Sequence, residues 1–272
     1  MNALSAPAAH GKGARLPFLR QRTRLILRAR EMSAYLADRT RSHAPAARHV
    51  LIFAQGRSGT TLLESLLCST GHFTGLGEAL DPRTREVVAP LAYVRGLGRM
   101  ARPDNVVVHV KGSHLSDARR RPRAAAPFLK GLVDDGWTVV RVLREGIADQ
   151  VLSECLALTR GAYHKTDDSA ERLRIHVDAE DFARRCERRL RFQREDESAL
   201  DGVPHLVLSY EADLSDAASQ QAAVDRVLNT VGLPSRPVTT SLRKIGGAPT
   251  ERLANFEEVS RALAERGIEW TR

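Results

Sequence analysis

Between a short apolar run and a leucine-rich helical pattern lies Gln55-Gly-Arg-Ser-Gly-Thr-Thr-Leu-Leu63, and this junction limits the fold more than any other stretch. The run before it, His49-Val-Leu-Ile-Phe-Ala54, is too short for a helix and too apolar for a half-exposed strand. It reads as a strand buried on both faces. A chain passing from such a strand straight into a helix must turn sharply. Gly56 and Gly59 permit that turn, so that backbone N–H groups can converge on an anion. The first turn of the helix adds unpaired N–H groups and the positive end of its dipole. Ser58, Thr60 and Thr61 offer hydroxyl donors and Arg57 a fixed cation. The segment reads as a phosphate cradle.

The rest of the chain repeats the alternation that such a junction begins. Further strands are expected at Val106–Val110, Trp137–Leu143 and His205–Ser209, with helices at Ala124–Asp135, Ile147–Leu158 and Ala179–Arg194. Apolar strands alternating with helices indicate an α/β fold, a parallel sheet covered by helices on both faces. Neither a repeat nor a linker calls for a second domain, so residues 48–272 are expected to form one.

The formal net charge of +9 would suggest nucleic acid if it were spread over a folded face. Residues 1–48 instead hold ten Lys/Arg against Glu31 and Asp38, which leaves the body nearly neutral. Residues 1–47 are read as a basic arm: residues 1–14 disordered, then an amphipathic helix from Leu16 to about Arg41 with arginines between its apolar positions. That helix either packs on the domain and solvates its arginines or meets anionic lipid or a partner. No run is long enough to span a bilayer, and arginines interrupt any apolar leader, so the cytoplasm is the expected compartment. Cys68, Cys155 and Cys186 have neither pairing nor metal-ligand spacing and are expected as reduced, packed thiols, with no metal site.

The loop is not a Walker sequence, because aligning Gly59 with its second glycine puts Ala54 at the first and Thr60 at the lysine. It does resemble the 5′-phosphosulfate loop of sulfotransferases, P-[KR]-S-G-T-T, with Gly56 in place of the proline. Arg144, Gln150 and Ser153, in the spacing R-x5-Q-x2-S after the Trp137–Leu143 strand, resemble the same family's 3′-phosphate motif, in particular that of bacterial carbohydrate sulfotransferases acting on trehalose, nodulation factors or lipopolysaccharide. The likeness continues in Ala157-Leu-Thr-Arg-Gly-Ala-Tyr-His164, in Leu208-Ser-Tyr-Glu211 and in Asn255-Phe-Glu-Glu-Val259. The resemblance implies a P-loop-like fold, 3′-phosphoadenosine-5′-phosphosulfate (PAPS) as donor and a carbohydrate or glycolipid hydroxyl as acceptor. It also implies that Arg243 and Lys244 add cations to the 3′-phosphate, where a solvated basic pair is the other reading. The acceptor loops are expected in residues 80–104 and 160–180.

An acceptor hydroxyl needs a general base. Glu78, in Thr74-Gly-Leu-Gly-Glu78, resembles the G-E base motif of the carbohydrate branch. His114, in Val110-Lys-Gly-Ser-His114, resembles the K-T-H segment of the cytosolic branch with one residue inserted. Both stay open, with Lys111 a candidate to face the sulfuryl group. Arg57 is the candidate for charge on the bridging oxygen. Two other functions compete, a P-loop kinase requiring magnesium and a non-enzymatic adaptor binding membrane or nucleic acid through the basic arm.

Overall fold

The computed structural model describes residues 17–39, 48–82, 84, 86–101, 104–160, 173–242 and 247–270. Ten helices and five strands are found among them: α1 (Pro17–Arg39), β1 (Val50–Phe53), α2 (Thr60–Ser69), β2 (Phe73–Glu78), α3 (Pro90–Ala101), β3 (Asn105–Val110), α4 (Ala125–Val133), β4 (Thr138–Leu143), α5 (Ile147–Arg160), α6 (Ala179–Leu200), β5 (His205–Ser209), α7 (Tyr210–Asp213), α8 (Ala217–Thr230), α9 (Pro249–Arg252) and α10 (Phe256–Ala264). A single 3₁₀ turn, Gly112–His114, follows β3.

The strands form one parallel sheet in the order β2-β3-β1-β4-β5. The unbroken apolar run of β1 is explained by its central place, where alternate residues serve opposite cores. Leu51 and Phe53 join Val94 and Leu97 of α3 and Leu129 and Leu132 of α4. Val50 and Ile52 join Leu63, Leu66 and Leu67 of α2 and Val224, Val227 and Leu228 of α8. All four β1 side chains are fully buried. The fold is α/β and P-loop-like, with helices on both faces. A third apolar cluster ties α5 and α6 to α10 through Val151, Phe182, Cys186, Val259 and Leu263.

Sequence patterning placed β3, β4 and β5 within a residue and overlooked β2. The cause is visible in Thr74-Gly-Leu-Gly: β2 is an edge strand of which only Phe73 is buried, so it lacks the apolar signal of the interior strands. Helix α3 falls inside residues 80–104, where an acceptor loop was expected, and it carries Gly96 and Gly98, which weaken a helical pattern. Both glycines have packing reasons. A Cβ on Gly96 would fall on the Ala34 carbonyl of α1, and one on Gly98 would meet Trp137 at 2.7 Å.

That contact decides how α1 sits. Ala34 is fully buried, and the backbones of α1 and α3 approach closely because Gly96 has no side chain. Asp38 pairs with Arg95 and with Arg99, each at 2.8 Å, but such part-exposed pairs contribute only about 0–1 kcal/mol. Close packing carries the docking, so residues 31–38 of the basic arm lie on the domain. Gly96→Val should release them. Hydrogen exchange would show amides 34–39 losing protection while β1, β3 and β4 keep theirs. Unchanged protection of α1 would remove the contact from its supposed role.

Candidate functional site

In a parallel sheet every strand ends on the same edge, and ligands bind there. All five strands deliver groups to it: Glu78 ends β2, Lys111 follows β3, Gln55–Gly59 follow β1, Arg144 follows β4 and Tyr210 follows β5. Glu78, Lys111, Gly56, Arg57, Gly59, Arg144 and Tyr210 line a cleft of about 1150 Å³.

The loop after β1 takes its shape from two left-handed residues. Gly59 has φ 89°, and Arg57, which carries a side chain, has φ 66°. Left-handed backbone at a non-glycine residue costs about 1–2 kcal/mol, so the surroundings must hold it. Three contacts do so. Gln150 Nε2 donates to the Gly56 carbonyl at 2.7 Å and to Ser58 Oγ at 3.0 Å. Arg144 Nη1 donates to the Arg57 carbonyl at 2.9 Å. With these carbonyls drawn toward β4 and α5, the N–H groups are left to face the other way. Gly59 is the N-cap of α2, and the helix's first internal bond is Leu63 N–H to the Gly59 carbonyl, 2.9 Å. The amides before it remain as helix-terminus donors.

Of the two glycines expected to permit the turn, Gly59 is left-handed and Gly56 is not; the second left-handed residue is Arg57. Gly56 serves another purpose: a Cβ there would stand 3.3 Å from Lys111 Cε and 3.4 Å from its Nζ. Glycine leaves room for the ammonium against the loop. Ser58, expected among the anion donors, is buried with its hydroxyl held by Gln150. Thr60 and Thr61 line the cleft.

The two candidate anion positions are joined rather than separate. Arg57 Nε donates to Ser153 Oγ at 3.0 Å, so its guanidinium reaches toward the Arg144–Ser153 position. Arg144 stacks over the Tyr210 ring at 4.7 Å, and Tyr210 lies under Gly59, where a Cβ would meet its Cδ2 at 2.7 Å. Glu211 accepts from the amides of Glu145 and Gly146 at 3.0 and 3.3 Å, which orders the start of α5. Tyr210 and Glu211 were legible only as a family-like dipeptide, and the structure gives each a supporting role. Asn255 likewise braces backbone, bonding Val177 N and O at 3.3 and 2.8 Å. Arg243 and Lys244 lie outside the described residues, as do positions 161–164 of the Ala157–His164 match.

Across the cleft, the two candidate bases face each other. Glu78 Oε1 pairs with Lys111 Nζ at 2.7 Å, and Oε2 lies 3.9 Å from His114 Nε2. The residue inserted before His114 forms the 3₁₀ turn and leaves the imidazole on the cleft wall. Burial pushes the Glu78 carboxyl up, but the Lys111 hydrogen bond and charge, with His114 and His109, outweigh it and hold it below its ordinary 4.5. Glu64 of α2 braces this corner, accepting from Gly77 N at 2.7 Å and contacting His109 Nε2 at 2.8 Å. Glu78, Asp81 and His114 each bring one possible ligand atom within 4.8 Å of the others. The ammonium already on Glu78 opposes a second cation there.

Patterning missed Asp196 altogether, because it is one charge among many on α6. It is buried behind the loop, in a small pocket with Gln55, Ser58, Arg141 and Gln150. Burial pushes its carboxyl up to about 7 against the pull of Arg141.

No protein-family model and no curated protein sequence matches the chain. Among solved structures, a sulfotransferase from Alicyclobacillus acidocaldarius is similar at TM-score 0.50 and 14% identity, covering 81% of this chain and 93% of that one. A shikimate kinase from Bacteroides thetaiotaomicron aligns at TM-score 0.42 and 13% identity, over 69% of this chain and 100% of that one. At 14% identity the likeness to the sulfotransferase is one of fold alone, and it agrees with a P-loop-like sheet.

Two titrations follow from this geometry. Lys111→Met removes the main counter-charge and leaves the burial, so the Glu78 carboxyl should rise above its ordinary value in a carboxyl-carbon NMR titration; a carboxyl that stays depressed would assign the shift to another group. Asp196 has a raised folded value, so its contribution is full below about 4 and is lost as pH rises through about 7. Asp196→Asn should therefore match the wild type in thermal melts near pH 4 and exceed it above pH 7, by a few kcal/mol at most. Parallel pH profiles would contradict this.

Proposed function

We propose that the chain transfers a sulfuryl group from PAPS to a hydroxyl of a carbohydrate or glycolipid acceptor. One observation carries the reading. A strained anion loop, an Arg–Ser pair beside it and a lysine-bound carboxylate opposite meet at one sheet edge. The loop amides with Thr60 and Thr61 would hold the 5′-phosphosulfate. Arg144 and Ser153 would hold the 3′-phosphate, with Arg57 between the two. The carbohydrate acceptor rests on the motif resemblance around Glu78 and Arg144.

The reaction places one negative charge fewer on the transferring group than phosphoryl transfer does, and fixed cations with N–H donors can meet it. The acceptor oxygen forms a bond to sulfur as the bond to the bridging phosphate oxygen breaks. The acceptor proton goes to Glu78, and the leaving phosphate keeps the electron pair. Glu78 is ionised at neutral pH because Lys111 holds it so, which makes the base ready and weak at once. Lys111, wedged between Gly56 and Glu78, is the nearer cation to the transferring group. Arg57, whose Nε is directed to Ser153, serves the leaving phosphate from the other side.

Calorimetry tests the donor site. The product 3′-phosphoadenosine-5′-phosphate should bind more tightly than AMP, and Arg144→Ala should weaken it about ten- to 150-fold, with a smaller loss for AMP. Equal affinity for the two nucleotides would end the claim of a 3′-phosphate site. Turnover tests the base. Glu78→Gln keeps the shape of the acid and should cost roughly a hundred- to ten-thousand-fold with nucleotide affinity nearly constant. His114→Ala should cost far less, and the reverse pattern would move the role to His114.

A further inference from the structure

An amphipathic helix ordinarily has one apolar face, and α1 has two. The packed face carries Ala34 and Tyr35, and with them Glu31, which accepts from the Val88 amide at 3.1 Å. On the opposite side, Leu25, Ala29, Met32 and Leu36 recur at helical spacing, and all are exposed. Leu25, Met32 and Leu36 stand 58%, 58% and 61% open, with Ile26 beside them at 67%. Among the described residues, eight large apolar side chains are exposed, and these four are half of them. Singly scattered exposure is ordinary, but concentration on one helix marks a docking face.

The charges on α1 are sorted in the same way. Both of its acids, Glu31 and Asp38, turn to the packed side, where Asp38 is held by Arg95 and Arg99. Arg28, Arg30 and Arg39 are exposed along the flanks of the outer stripe, and none makes an ion pair among the described residues. The outer face is therefore apolar with cations only, which is complementary to an anionic lipid surface. No described helix is long and apolar enough to cross a membrane, so the helix would lie on the lipid rather than span it.

Direction adds to this. Helix α3 leaves the cleft edge after β2 and returns to the opposite edge, where β3 begins. Helix α1 runs alongside in the same sense, with Glu31 at Val88, Ala34 at Gly96 and Asp38 at Arg99. Its first half therefore points to the cleft edge, and Leu25 lies roughly 9 Å beyond Glu31 at 1.5 Å per residue. We infer that α1 docks the protein on an anionic bilayer through the Leu25–Met32–Leu36 stripe and its flanking arginines, with the cleft edge held beside the lipid surface.

Co-sedimentation of the full chain with phosphatidylcholine vesicles, with and without phosphatidylglycerol, tests this. The wild type should bind the anionic vesicles, leave the neutral ones and lose binding as salt is raised. Leu25→Ser/Met32→Ser/Leu36→Ser should weaken binding at least about tenfold while the thermal melt is unchanged. Arg28→Glu/Arg30→Glu/Arg39→Glu should abolish the preference for anionic lipid. Binding to neither vesicle, equal binding to both, or a serine variant that binds like the wild type would each overturn the proposal. So would a dimer in sedimentation velocity that the serine substitutions dissolve, since a second copy would then cover the face.

Discussion

The loop after β1 cannot hold its shape alone. Arg57 sits at positive φ with a side chain attached, and the bonds from Gln150 and Arg144 to the loop carbonyls keep it there. Those two residues belong to the β4–α5 junction, so the cradle exists only when β4 lies beside β1 in register. That in turn needs the apolar layers on both faces of the sheet. Tyr210 and Glu211, from the end of β5, complete the support by filling the space under Gly59 and ordering the first amides of α5. The loop is thus held in shape by the protein alone, and in the proposed reaction such fixed donors act most strongly on developing charge.

The other half of the cleft is balanced rather than strained. Glu78 and Lys111 neutralise each other at 2.7 Å, which keeps the acid ionised and the ammonium close to the loop. A donor carrying negative charge would compete for Lys111 and so leave Glu78 less restrained and more basic. In the proposed reaction, base strength would then be coupled to binding of the donor, which would limit proton abstraction until the donor is bound. His114 lies near enough to share in this charge balance and too far, at 3.9 Å, to replace the lysine.

What could be read from residue order follows from what is periodic or locally determined. The buried run of β1, the glycine and hydroxyl pattern of the loop and the helix behind it are contiguous, so the strand–loop–helix order was legible. Edge strand β2 was not, because an edge needs little apolar surface. The left-handed backbone at Arg57 was hidden as well, since the bonds that hold it come from Arg144 and Gln150. The link between Arg57 and Ser153 spans 96 positions and has no local signature. Asp196 is a charged residue on a charged helix until α6 is laid against the sheet.

Transfer of the labelled group is the most direct test of the central claim. The chain is incubated with radiosulfur-labelled PAPS and a set of sugar and glycolipid acceptors, and in parallel with ATP labelled in its γ-phosphate together with magnesium. The account predicts label from PAPS on an acceptor hydroxyl, stoichiometric release of 3′-phosphoadenosine-5′-phosphate, and no transfer from ATP. Transfer from ATP with none from PAPS would contradict it and assign the same cleft to a phosphotransferase.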